Sequence, residues 1–127
     1  MALEDYGLLA LRLALGIIFI YHGFPKLKNP EAMAQGFGGN KNFPMILGFF
    51  EFVSGLLVLF GLYTQFATIV FIVVMLGALY YKIEKWKIPF FAKNTTGWEF
   101  DLLILASSIA LLFLGAGQYS LDFTLLP

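Results

Sequence analysis

TQFATIVFIVVMLGALYYK, residues 64–82, holds the choice of fold. Its middle, TIVFIVV (68–74), is rich in β-branched residues and taken alone reads as a buried strand. The apolar run around it is long enough to cross a hydrocarbon core of ~30 Å as a helix. An isolated apolar span in lipid must satisfy its backbone internally, so helix wins over strand.

The rest of the chain supports lipid as the solvent. Of 127 residues, 60% are hydrophobic and 13% charged, against roughly 25% charged in an ordinary soluble domain. Mean hydropathy is +0.83. A soluble domain of this size has too little interior to hide so much apolar side chain. Three more segments are long enough to span: about Tyr6–Phe24, Phe43–Leu62 and Gly97–Leu114. The expected fold is all-α, a single-domain integral membrane four-helix transmembrane bundle over residues 1–127. The opening MALEDYGLL lacks the basic stretch of a signal peptide, so the first span reads as retained.

Connections set the topology. The second and third spans are joined by a tight turn around Gly61–Gln65, which makes them an antiparallel hairpin. Loops 26–42 and 83–96 are longer and polar. Seven of the eight Lys/Arg residues lie in or beside them: Lys26, Lys28, Lys41, Lys82, Lys85, Lys87 and Lys93. The positive-inside rule then places both long loops in the cytoplasm and both termini outside, in a multi-pass plasma-membrane protein. Loop 26–42 carries GFGGNKNFP, a glycine cluster with no GK[ST] after it, and reads as a flexible re-entrant or interfacial turn rather than a phosphate site. Loop 83–96 mixes lysines with Trp86, Phe90 and Phe91, as an interfacial segment does.

Several chemistries are removed at once. Formal net charge is zero, so nothing points to nucleic acid. There is no cysteine, which excludes disulfides and disulfide exchange with quinone. A single histidine cannot supply both axial ligands of a haem.

Ionisable residues inside lipid are costly and default to functional candidates. Arg12, His22, Glu51 and Glu99 lie within the spans; Lys26 and Asp101 sit at span ends. At about 100° per residue, Arg12, Gly16, Phe19, His22, Gly23 and Lys26 share one stripe of the first helix. Gly48, Glu51, Gly55 and Val58 share a face of the second, and Glu99, Leu103, Ala106 and Ala110 a face of the fourth. Asp101 points nearly opposite and reads as a supporting or interfacial carboxylate. The small residues on these stripes suit close helix approach and a homodimer. Depth places His22, Lys26, Glu51 and Glu99 in the bilayer half nearer the long loops, with Arg12 reaching toward them. Gly23 and Pro25 are expected to end or bend the first span, freeing the Tyr21 carbonyl.

Each residue also has a plainer role. Arg12 and Glu51 can pair to fix helix register, Lys26 can snorkel to the headgroups, Glu99 can complement a helix dipole, and Tyr21 and Trp98 fit an interfacial aromatic belt. The three ligand types His22, Glu51 and Glu99 follow no metal-site spacing, so no metal is expected.

The stretches LRLALGIIFIYHGFPKL (11–27), GFFEFVSGLLVLFGLYTQFAT (48–68), GWEFDLLIL (97–105) and GAGQYSLD (115–122) closely resemble the DoxX family of small four-helix membrane proteins. The motifs that carry the likeness are Arg12, His22–Gly23 with Lys26–Leu27, Glu51 with Gly55, and Gly97–Trp98–Glu99. Where the family's turn usually reads Thr-Arg, this chain has Thr64–Gln65. The resemblance implies a subunit of a quinone-linked membrane oxidoreductase. Arg12 and His22 would then meet quinone carbonyls, Phe19, Tyr21 and Trp98 would flank the ring, and Glu51 and Glu99 would relay protons. No motif for a resident redox cofactor accompanies them, so a partner subunit would supply electrons to a bound quinone. The alternative is a non-catalytic membrane scaffold or assembly factor. A proton-coupled carrier is a third reading, for which four helices are few.

Overall fold

The computed structural model describes residues 2–125. Among these it is helical, with no strand. Four long helices, α1 (Leu3–Lys28), α3 (Asn42–Phe60), α4 (Thr64–Tyr80) and α5 (Trp98–Leu114), pack together. Short helices α2 (Pro30–Ala34) and α6 (Leu121–Leu125) sit in the first long connection and at the C-terminal end. Three helical stretches are long and apolar enough to cross a membrane: Leu3–Lys28, Asn42–Phe60 and Thr64–Lys85. The β-branched run of α4 is helical throughout, as lipid requires. Large apolar side chains stand outward on all four long helices, among them Ile17, Phe49, Phe66 and Phe113. Around a monomer in water such a surface would be an aggregation patch; facing acyl chains it is solvated.

Two helix ends run past their expected limits. α1 continues through Gly23 and Pro25 to Lys28. Proline removes one N–H, and the turn around it still closes: Asn29 N–H donates to the Pro25 carbonyl at 2.9 Å, and the Lys26 ammonium donates to the His22 carbonyl at 3.0 Å. Gly23 serves approach rather than termination. A Cβ there would lie 2.7 Å from the Gly48 carbonyl oxygen and from Phe52 N. Gly16 meets Gly55 in the same way, 2.9 Å from its carbonyl. The glycine stripes that suggested a homodimer therefore face each other inside one chain, along the α1–α3 contact. α4 also runs on, through a π-helical turn at Tyr81–Lys85, where Trp86 N–H reaches the Tyr81 carbonyl at 2.7 Å.

The turn after α3 is built on Gly61, left-handed at φ +70°. Its N–H bonds the Val58 carbonyl, and Leu62 N–H bonds the Leu57 carbonyl, a Schellman closure. Asp122 of α6 then accepts from Tyr63 N–H and, at 2.9 Å, from Thr64 N–H. It caps the start of α4 from the far end of the chain.

Candidate functional site

Glycine packing positions the first charged pair. A Cβ on Gly48 would sit 2.6 Å from Lys26 Cβ, so the stem of Lys26 lies directly on the α3 backbone. From there its ammonium lies 2.9 Å from Glu51 Oε1. Glu51 is only 3% exposed, and a buried carboxylate needs such a partner.

The second pair comes from α4 and α5. Phe71, Met75, Ala78 and Lys82 follow one another down the inner face of α4 at helical spacing. Lys82 lies in the π-turn, 2.6 Å from Asp101 Oδ2. It also donates to Thr96 Oγ1 at 2.9 Å and lies 5.8 Å from the centre of the Phe100 ring. Asp101 is as buried as Glu51. In both pairs the carboxylate oxygen facing the lysine lacks an aligned hydrogen-bond donor. The pairing is one of charge and distance.

Both pairs border one cavity of about 470 Å³. Phe19 forms part of its inner wall and stacks on the fully buried Phe71 behind it, 3.7 Å between ring centres. His22 reaches it from α1, beside Phe100 at 5.9 Å. The long connections cover it. Trp86 indole N–H donates to the Gly36 carbonyl at 3.1 Å, and Phe37 packs on Tyr81 and Trp86. The site is thus a largely apolar chamber with a few polar groups, the usual composition of a small-molecule pocket. Among the described residues no group of three or more His, Asp or Glu side chains could hold a metal.

His22, Lys26, Glu51 and Phe19 meet at this cavity. The other residues singled out from the sequence lie elsewhere. Glu99 stands off the cavity in the first turn of α5, its N–H bonded to the Phe90 carbonyl at 3.1 Å. Trp98 packs edge-on against Phe90. Tyr21 points outward, 76% exposed. Arg12 belongs to the opposite end of the bundle, ten residues and about 15 Å along α1 from His22. Its guanidinium is buried and bonds the carbonyls of Val58, Leu59, Ala116 and Tyr119 at 2.8–3.2 Å. It closes the last turn of α3, where a cation suits the helix dipole, and fastens the chain after α5. An Arg12–Glu51 pair does not form.

Lys82 and the aromatic cover were not among the sequence candidates, and Asp101 was read only as a supporting or interfacial carboxylate. Asp101, Ile104, Ser108 and Leu111 form the buried stripe of α5, one that reads as well from spacing as the stripe through Glu99. Lys82 was hidden by its place among the flanking lysines.

The DoxX family model matches residues 7–82. The chain is 36% identical over 121 residues to the putative oxidoreductase CatD of Bacillus subtilis, across 93% of this chain and 86% of that protein. It is 33% identical over 122 residues to an uncharacterized protein of Haemophilus influenzae, across 94% and 90%. No solved structure matches it.

Proposed function

From the premise that this chain belongs to the DoxX family, we propose that it is a membrane-embedded, quinone-binding subunit of an oxidoreductase. The observation that carries this is the 470 Å³ apolar cavity bordered by two buried lysine–carboxylate pairs. A quinone ring needs a flat apolar slot and a donor for each carbonyl. Phe19 and Phe100 provide the slot; Lys26, Lys82 and His22 provide donors. Reduction to the quinol adds two electrons and two protons. The protons come through the lysines, with Glu51 and Asp101 taking up replacements from the loop side. The electrons come from a partner subunit. The oxidoreductase name of the Bacillus relative agrees with this role.

The same reading has α5 cross the bilayer as a fourth span. Its 17 residues extend about 26 Å, short of a ~30 Å core, and Trp98 at its start and Phe90 in the loop before it lie at the interface. The lysine-rich connections lie in the cytoplasm and both ends of the chain outside.

The test is saturable quenching of Trp86 fluorescence by a chainless methoxy-substituted para-benzoquinone, in protein reconstituted into nanodiscs. Binding should weaken about tenfold or more in Asp101→Asn and Glu51→Gln, the scale of one lost charge-assisted contact. Linear, non-saturating quenching of the folded protein would overturn the proposal.

A further inference from the structure

α4 carries a glycine that packing does not explain. In the α1–α3 contact Gly16, Gly23, Gly48 and Gly55 each stand where a Cβ would collide. Gly77 has nothing within 4 Å of a Cβ built on it. Glycine in a helix interior costs about 1 kcal/mol relative to alanine. Yet Gly77 borders the cavity.

The position of the cavity rim explains it. The α4 residues around the cavity run from Met75 and Ala78, on the inner face, round to Val73 and Gly77. Val73 is 63% exposed and continues the outward stripe of Phe66 and Ile69. Across from them stand Phe43 and Leu47 of α3. The two helices are tied at Gly61–Tyr63, and the cavity lies on their loop side. There the lining of the chamber reaches the outer surface at Val73 and Phe43, which marks a side opening among apolar side chains that face acyl chains.

We propose that this opening is a window into the hydrocarbon, and that the ligand is a membrane-dissolved molecule whose alkyl or isoprenoid chain leaves past Gly77. This rests on the pocket reading above and adds the route and the ligand class. The polar ring sits between the lysine pairs. The chain passes between Val73 and Gly77 on one side and Phe43 and Leu47 on the other, so it never leaves an apolar medium. A side chain at position 77 would project into that passage, and glycine keeps it clear.

Gly77→Leu tests this without endangering the fold, since the space is open and leucine is the better helix former. In a Trp98→Phe background, Trp86 reports binding of two para-benzoquinones that differ only in a decyl chain. Gly77→Leu should weaken the decyl compound about tenfold, the scale of an overpacked contact, and leave the chainless ring unchanged. Equal affinity of both variants for the decyl compound would overturn the window, as would equal loss of both compounds. A second measurement does not depend on quinone. In bilayers of lipids brominated on the acyl chain, bromine that enters the window quenches Trp86, and Gly77→Leu should reduce that quenching. If neither quinone binds but this difference persists, the window stands and the quinone reading falls. If the quenching does not depend on position 77, the window falls.

Discussion

Removing Lys26 should damage the fold far more than neutralising its partner. In Lys26→Met the stem is nearly conserved and the ammonium lost, leaving Glu51 with its side chain 4% exposed and no cation at 2.9 Å. Stranding one member of a buried pair costs about 3–5 kcal/mol. Lys26 is 15% exposed, so water screens part of the pair and the lower end of that range, about 3 kcal/mol, applies. Glu51→Gln strands the other member, but Lys26 keeps the His22 carbonyl at 3.0 Å and lies two residues from the helix end. A four-carbon stem can turn toward the interface, so this substitution should cost about 1 kcal/mol, one hydrogen bond's worth. The double variant Lys26→Met with Glu51→Leu should recover most of the loss, because an apolar pair of similar volume leaves no charge behind. Equilibrium unfolding in mixed micelles, followed by helix circular dichroism, measures all three. Equal losses in the two single variants, or a double variant no better than Lys26→Met, would refute the asymmetry and the burial argument with it.

Gly48→Ala should destabilise by about 2 kcal/mol, because its Cβ would stand 2.6 Å from Lys26 Cβ and 2.8 Å from the Gly23 carbonyl and force α1 from α3; the same unfolding experiment reads it. Arg12→Lys should cost about 2–3 kcal/mol through loss of the planar fork that serves four carbonyls, while the chainless quinone binds the folded fraction as before. Asp122→Ala should lower stability by about 1–2 kcal/mol by uncapping α4. The chain has no cysteine, so single reporters read topology directly: Lys93→Cys should react with a membrane-impermeant maleimide only after the cells are opened, and Gln118→Cys in intact cells.

The helices were legible because lipid leaves the backbone one solution, and β-branched α4 shows that this outranks local propensity. His22, Lys26 and Glu51 were legible as a group because they share stripes with glycines, and glycines fix which faces touch. Arg12 was not, since a long side chain at mid-span can reach either way and only the carbonyls of the C-terminal segment decide. The choice of Glu99 over Asp101 turned on a rotation of α5 that depends on packing against α4 and α1. Lys82 was the last residue of the expected third span, and a lysine at a span end reads as a flanking charge; only the packing of α4 on α5 brings it to Asp101.

The guanidinium clamp has a consequence for how the chain is made. Arg12 emerges from the ribosome with the first helix, and two of its four acceptors lie 104 and 107 residues downstream. At about 5–20 residues per second, α1 waits about 5–20 s before the last of those carbonyls exists. The α3 carbonyls arrive earlier and serve only half of the fork. The first helix synthesised is therefore the last to be fully seated, and until residue 119 is made it has reason to stay near water or the insertion machinery. A nascent chain arrested at residue 115 would hold Arg12 in that unfinished state, while its Lys26–Glu51 and Lys82–Asp101 pairs would already have every residue they need.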